Sequence, residues 1–264
     1  QLKSMNLINE PSDEEILSIL SLYRECRFKD LTMSCNSMLK EFPNSAKLHN
    51  ILGAAYNGLE QFNIAVQCFN TAIKLNPNYA EAYNNLGNTL KLKGKQAESI
   101  ECFKSAIRLK PNFAEAFNNM GAAYKSFKDY ENAVYYFQKA IDIKKDYLDA
   151  YINKGNSHRQ AGDIMKSIQT LKKAIELDNN SADVYFEMGL SFIDNKNFDE
   201  AIKCFENAIK IDSEHFEAYN FLGNVYKSVG QTRKAIDTFE MALSHRSDLY
   251  EIHRHLAFAK KYDG

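Results

Sequence analysis

The sequence predicts an all-α fold, an α-solenoid built from tandem 34-residue helix–turn–helix repeats. The first observation is internal similarity: residues 80–111 read AEAYNNLGNTLKLKGKQAESIECFKSAIRLKP, and residues 114–143 repeat the pattern as AEAFNNMGAAYKSFKDYENAVYYFQKAIDI. A fixed period of this size indicates stacked repeats. The second observation is that apolar residues recur at helical spacing twice in each period, with Gly94 between the two stretches. Each period therefore predicts two antiparallel helices joined by a short turn.

The repeat pattern also predicts the domain organisation. Seven periods follow one another without insertion over residues 12–249, and they begin at Ser12, Ala46, Ala80, Ala114, Leu148, Ala182 and Phe216. Residues 1–11 are expected to be an N-terminal tail or helix, and residues 250–264 a C-terminal capping helix or the start of an eighth repeat. Ser12 and Glu15 have the spacing of a capping box, so the first helix should begin there.

Small residues at fixed positions predict close packing within each helix pair. A glycine in a helix costs about 1 kcal/mol relative to alanine, yet one stands inside the first helix of six units: Gly53, Gly87, Gly121, Gly155, Gly189 and Gly223. Large aromatic residues recur in the second helix: Phe69, Phe103, Phe137, Phe205 and Phe239. We expect the glycines to let a partner helix approach closely and the large residues to fill the gaps between.

The repeat resembles the tetratricopeptide repeat family. The fourth unit carries the family pattern at Phe117, Met120, Gly121, Tyr124, Ala133, Phe137 and Ala140, with Lys145 in place of the usual proline. The resemblance covers residues 12–264 and implies a right-handed α–α superhelix whose first helices line a groove for extended peptides. The fifth unit departs from the pattern because Lys154 and His158 stand in its apolar stripe. We interpret Lys154 as a side chain that extends past the apolar surface to solvent.

Composition and motifs argue against several functions. The net charge of −1 provides no basic field for nucleic acid or an anionic membrane. No apolar stretch approaches the roughly 18 residues of a membrane span, and no signal peptide is visible. The odd number of cysteines, five, favours a reduced, cytoplasmic setting. No catalytic arrangement is recognisable, so the chain is predicted not to be an enzyme and to carry no cofactor.

An acidic row could suggest a metal site, but a structural interpretation is preferred. The row consists of Glu81, Glu115, Asp149, Asp183, Glu217 and Glu251. Three residues before a member of the row stand residues that could cap a helix: Asn78, Asn112, Asp146 and Asn180. Carboxylates in a first helical turn stabilise the helix. His253 and His255 are two residues apart and face different sides of a helix, so no metal site is predicted.

The candidate binding surface is the polar face of the first helices. In the third unit Asn84, Asn85, Asn88 and Lys91 should face outwards. Two rows recur at the repeat period, one of Asn85, Asn119 and Asn153 and an interrupted one of Asn88, Asn156 and Asn224. An asparagine amide offers both a donor and an acceptor to a peptide backbone. The arrangement resembles the asparagine ladder in the repeat domain of the O-linked N-acetylglucosamine transferase.

Basic and apolar residues flank the asparagines. The basic row comprises Lys91, Lys125, Arg159 and Lys227, which could hold acidic groups of a partner or remain solvated. The polar face is interrupted in the sixth unit by an apolar stripe of Phe186, Leu190 and Ile193, with Phe221 on the next unit. Exposed apolar stripes mark binding sites. This stripe could contact a partner, a missing segment of the protein or a second copy.

Three functional hypotheses follow. The first is a protein–protein interaction scaffold that binds an extended, acidic peptide segment of a protein ligand through these rows. The second is the substrate-recruiting arm of a larger glycosyltransferase or sulfotransferase, because the chain starts without methionine and stops within a repeat, as in bacterial proteins that fuse such repeats to transferases. The third is a self-assembling structural module, in which the ligand is another copy of the chain.

Overall fold

The structure is a computed structural model that describes residues 10–261, and within that range it contains no strand. The predicted N-terminal tail or helix therefore falls almost wholly outside the described residues, as do residues 262–264. The helices are α1 Asp13–Arg24, α2 Phe28–Glu41, α3 Ala46–Gly58, α4 Phe62–Leu75, α5 Ala80–Leu92, α6 Gln96–Leu109, α7 Ala114–Ser126, α8 Tyr130–Ile143, α9 Leu148–Gln160, α10 Ile164–Leu177, α11 Ala182–Asp194, α12 Phe198–Ile211, α13 Phe216–Ser228, α14 Thr232–His245 and α15 Tyr250–Lys261. The prediction of an all-α fold is confirmed.

The odd-numbered helices are the first helices of the repeats and the even-numbered helices are the second helices. The chain divides into two compact units, residues 1–127 with α1–α7 and residues 128–264 with α8–α15. Within each unit every helix packs on the next one along the chain. First helices also contact each other directly: α3 with α5 and α5 with α7 in the first unit, and α9 with α11 and α13 with α15 in the second.

The predicted contact between helical glycines and the second helix is confirmed. A Cβ atom added at Gly87 would lie 2.7 Å from the ring of Phe103, and one at Gly223 would lie 2.3 Å from the ring of Phe239. Both rings are fully buried. The glycine therefore creates the space that the aromatic ring fills, and in the first repeat, where the buried Ile19 stands at the glycine position, the smaller Cys35 replaces the ring.

The helix caps agree with the prediction at one position and differ at others. Ser12 and Glu15 form the expected capping box. The expectation that Asn78 and Asn180 cap helices is wrong, because Tyr79 and Ser181 occupy the N-cap positions. The backbone N–H groups of Asn78 and Asn180 instead donate to side chains two residues earlier, which closes the preceding turn.

Candidate interaction surface

The candidate surface follows from the way each first helix divides its residues between two faces. On α5 the residues Leu86, Gly87 and Leu90 are buried. Asn85, Asn88 and Lys91 are partly exposed on the opposite side. Because helical neighbours lie three and four residues apart, these three polar side chains form one continuous strip. In the first unit the strip on α5 adjoins the first helices on either side of it.

Amide pairs connect the first helices of the first unit. The Asn85 Nδ2 donates to the Asn50 Oδ1 at 3.0 Å, and the Asn119 Nδ2 donates to the Asn84 Oδ1 at 3.0 Å. Each pair joins an asparagine on one first helix to an asparagine 35 residues later on the next. An intramolecular hydrogen bond of this kind contributes about 1 kcal/mol net. The asparagine rows therefore hold adjacent repeats in register.

Asn84 is buried rather than outward-facing, as the sequence had suggested. Its side chain is 7 % exposed because the amide of Asn119 covers it. Asn50 is 8 % exposed in the equivalent position. Sequence analysis missed Asn50, Asn118 and Asn220, which belong to the same row as Asn84. Members of this row pair with members of the predicted row that lie 35 residues later in the sequence, one residue more than the repeat period of 34.

The same pairing recurs in the second unit with other residues. The Asn220 Oδ1 lies 2.7 Å from His255 Nδ1 across an interval of 35 residues. The amide of Asn224 lies 3.3 Å from the same ring nitrogen, and its N–H also donates to the Asn220 carbonyl at 2.8 Å. Lys227 in turn donates to Asn224 at 3.1 Å. Asn224 and Lys227 are therefore part of a local network.

The apolar stripe occupies the same paired positions on α11 and α13. The ring centroids of Phe186 and Phe221 are 5.6 Å apart in an edge-to-face arrangement. Both rings also pack against the buried Phe205, at centroid distances of 5.8 and 5.9 Å. Phe221 is 36 % exposed, while Phe186, Leu190 and Ile193 are partly buried. The stripe is thus an extension of the core that reaches the surface at Phe221.

A polar cluster surrounds Glu187, a residue that sequence analysis did not select. The Asn156 Nδ2 donates to the Glu187 Oε1 at 2.8 Å. Arg159 forms ion pairs with Glu187 at 3.6 Å and with Asp194 at 3.3 Å. The buried Oδ1 of Asn156 and Nε of Arg159 have no hydrogen-bond partner among the described residues. Arg159 is therefore neutralised by two carboxylates.

Lys91 differs from Arg159 because it has no acidic partner within residues 10–261. Partial burial, and then the like charge of Lys125, lower the pKa of Lys91. Both effects oppose the charged form. An anion placed beside Lys91 would offset them, which makes this position suited to a carboxylate. Asn153, the remaining member of the predicted rows, is partly exposed on α9.

Within residues 10–261 no group of three or more His, Cys, Asp or Glu side chains could hold a metal ion. None of the helices described there is long and apolar enough to cross a membrane.

Tandem helix pairs of this length, joined by short turns, define an α-solenoid repeat protein. The chain carries tetratricopeptide repeats. A family model described as TPR repeat matches residues 53–94, 87–126 and 189–230, and one described as tetratricopeptide repeat matches residues 218–249. A further model, described as anaphase-promoting complex, cyclosome, subunit 3, matches residues 127–208. A search of curated proteins returned no significant match.

Solved structures agree with this assignment. The chain is similar to one in the APC/C hetero-tetramer Cut9–Hcn1, with a TM-score of 0.74 and 16 % identity over 94 % of this chain and 49 % of that one. It thus spans about half the length of that relative. The chain is also similar to MamA, with a TM-score of 0.55 and 26 % identity over 61 % of this chain and 95 % of that one. It is similar to YrrB, described as a TPR protein with an unusual peptide-binding site. The TM-score is 0.54, with 20 % identity over 70 % of this chain and 95 % of that one.

Proposed function

We propose that this chain is a protein-interaction scaffold whose first helices bind an extended segment of a partner protein. The observation that carries the proposal is the strip of partly exposed polar side chains on α5 and its neighbour α7. A tetratricopeptide-repeat fold suggests protein–protein interaction. The similarity to YrrB and to a chain of the Cut9–Hcn1 hetero-tetramer supports the proposal, because those proteins are described with a peptide-binding site and with a protein partner.

Asparagine side chains on this strip would pair with the backbone of the bound segment. Asn85 and Asn119 each use one N–H to join adjacent helices, and an asparagine amide has a further N–H and two acceptor positions. Asn88 makes no hydrogen bond within the described residues, so its whole amide is available. Asn153 belongs to the row of Asn85 and Asn119 and would extend it onto α9. Backbone pairing of this kind binds an extended chain without reading its side chains. The resemblance to the transferase asparagine ladder stays a prediction.

Lys91 and Lys125 would favour acidic residues in the segment. Lys91 is partly buried beside a second cation, so a carboxylate gains more here than at an exposed lysine. The preference is assigned to the first unit, because in the second unit Arg159 already pairs with Glu187 and Asp194. Asn156, Asn224 and Lys227 would contribute remaining polar atoms. Binding should weaken as salt concentration rises.

Phe221 would anchor one apolar side chain of the partner on the second unit. Its ring is the exposed edge of a cluster that includes Phe186, with Leu190 and Ile193 beside it. Aromatic residues on such rigid supports dominate many protein interfaces. The comparisons favour neither the transferase-arm hypothesis nor the self-assembly hypothesis, so the scaffold is the function that we propose.

An array of random peptides with different net charges tests the proposal. We expect acidic peptides to be enriched on the wild-type chain. Asn88→Ala and Lys91→Ala should each weaken the selected peptides by roughly tenfold, the effect of losing one hydrogen bond to a charged or backbone group. These two residues are chosen because neither joins adjacent helices. Lys104→Ala, on the second helix α6 and paired with Glu101, is the matched control and should bind as wild type does. Equal binding by all three variants would overturn the proposal.

A further inference from the structure

A second feature of the fold is a basic cleft in the unit that contains α8–α15. It lies between the second helices α8 and α10, with the first helix α9 between them, and it has a volume of about 470 Å³. Lys154 and His158 line it from α9. These are the two residues that interrupt the apolar stripe of the fifth repeat. The peptide-binding proposal uses neither of them.

Positive charge dominates the lining of the cleft. Its lining side chains include Lys154, Lys166, Lys172 and Lys173 but only one carboxylate, that of Glu176. Lys166 is neutralised by Asp163 at 2.9 Å. Lys172 and Lys173 form no ion pair within residues 10–261, and both are exposed. The cleft therefore carries three cations against one carboxylate.

Lys154 is partly exposed and lines the cleft. Its Nζ donates to the Gln138 Oε1 at 2.5 Å inside the cleft. Gln138 is held in turn by Asp142, which accepts from its Nε2 at 2.8 Å. Burial and then the nearby Lys173 lower the pKa of Lys154, and Asp142 partly opposes them. His158 is 8 % exposed, and burial together with Lys154 lowers its pKa as well. Keeping a positive charge in such surroundings costs free energy unless an anion lies close to it.

The equivalent cleft between α12 and α14 shows that the fold does not require these charges. It has a volume of about 320 Å³, and Leu222 and Tyr226 stand where α9 has Lys154 and His158. Met241 takes the place of Lys173. Two acidic residues, Glu206 and Asp237, balance two lysines there. Two clefts with the same backbone thus differ in charge, and the difference needs a reason other than packing.

We propose that the cleft between α8 and α10 binds a small anion that carries phosphoryl groups. Its volume is within the range of ligand pockets, roughly 300–1,000 Å³. A phosphoryl group carries up to about two negative charges and three acceptor oxygens, which matches a cluster of several lysines better than a single carboxylate does. Lys154 and Lys173 face the anion as charge partners, and His158 and Gln138 supply hydrogen bonds at the base of the cleft.

Calorimetric titration with inorganic pyrophosphate at constant ionic strength tests this site. We expect wild-type protein to bind pyrophosphate, and Lys154→Leu to weaken the binding by roughly tenfold or more. Lys154→Leu introduces the residue found at Leu222, so we expect the variant to fold. Lys173→Met, which copies Met241, gives an independent measurement on an exposed side chain. Lys234→Ala, at the position of Lys166 in the equivalent cleft, should bind as wild type does.

Three results would overturn the proposal. The first is the absence of pyrophosphate binding to the wild-type chain. The second is equal binding by wild type, Lys154→Leu and Lys173→Met, which would show a general ionic effect. The third is binding of a phosphoserine peptide but not of pyrophosphate, which would assign the cleft to a modified protein partner. The cleft belongs to the unit of α8–α15, whereas Asn88 and Lys91 belong to the unit of α1–α7, so the two proposals can fail separately.

Discussion

Phe186 and Phe221 make an edge-to-face ring contact, with centroids 5.6 Å apart, at the two repeat positions where Asn84 and Asn119 form an amide hydrogen bond. Each pair connects the first helices of adjacent repeats. The fold therefore accepts two kinds of connection at one place, a hydrogen bond between amides or a contact between aromatic rings. The choice also sets the surface, because the amides keep it polar and Phe221 makes it apolar.

The amide pair should stabilise the first unit through coupling between its members. Asn119→Ala leaves the buried Asn84 Oδ1 without its donor, so we expect a loss of about 1–2 kcal/mol in the free energy of unfolding. The double variant with Asn84→Ala should lose less than the sum of the two single changes. Urea denaturation measures all three, with Asn88→Ala as a control that joins no helices. Strict additivity would contradict the pairing.

The aromatic pair should be replaceable by the amide pair. Phe186→Asn and Phe221→Asn should each destabilise the second unit, because each places an amide against a ring that also packs on Phe205. The free energy of unfolding of the double variant should exceed the value expected from adding the two single changes by at least about 0.5 kcal/mol. The reason is that the two new amides can form a hydrogen bond with each other. Thermal denaturation of the four proteins gives this coupling. A double variant with no recovery would show that the two connections are not equivalent.

Gly87 should tolerate no larger residue. The Cβ atom of Gly87→Ala would lie 2.7 Å from the fully buried ring of Phe103, so we expect a loss of about 1–3 kcal/mol from overpacking. Gly94→Asn is the control: nothing lies within 4 Å of a Cβ there, and asparagine tolerates its φ of +73°. Thermal midpoints compare the two. A Gly87→Ala protein as stable as wild type would contradict the close approach.

His158 should make the second unit less stable in acid. Burial and Lys154 lower its pKa in the folded chain, Lys166 adds to this effect, and Asp163 opposes it. The unfolded chain therefore takes up a proton near the ordinary histidine pKa of about 6.5, while the folded chain does not. His158 therefore does not change the free energy of unfolding above that pH, and it lowers this free energy as the pH falls below it. Denaturation of wild type and His158→Tyr between pH 5 and 8 should show a weaker acid dependence in the variant.

Bound pyrophosphate should oppose the lowering of the His158 pKa. A bound anion beside His158 favours its protonated form, because the anion offsets the positive charge of Lys154. Binding should therefore strengthen as the pH falls from about 8 to about 6. His158→Tyr should retain binding with a flatter pH profile. The same profile in both proteins would show that His158 does not face the anion.

Much of the fold could be predicted from the sequence, because the repeat period and the helical spacing of apolar residues are local patterns. Gly87, for example, was expected to allow close approach of a partner helix, and the ring of Phe103 on the second helix packs against it. The side-chain pairs between repeats were harder to predict. The offset of Asn84 and Asn119 is 35 residues rather than 34, since side chains at equivalent positions of adjacent helices point in the same direction and one further residue turns the side chain by about 100°. Glu187 occupies the next position in the row of Asn85, Asn119 and Asn153, and it was missed because that row was defined by asparagine alone.

The sequence by itself determined that this protein is a tandem array of helix pairs, and which residues close each pair. These properties depend on the order of residues within one repeat. Only the tertiary structure decided that Asn84 is buried, that Arg159 is neutralised by Glu187 and Asp194, and that Lys154 lines a basic cleft. Those outcomes depend on side chains more than a turn of helix away. Their distances are set by how adjacent helices pack, which no single repeat specifies.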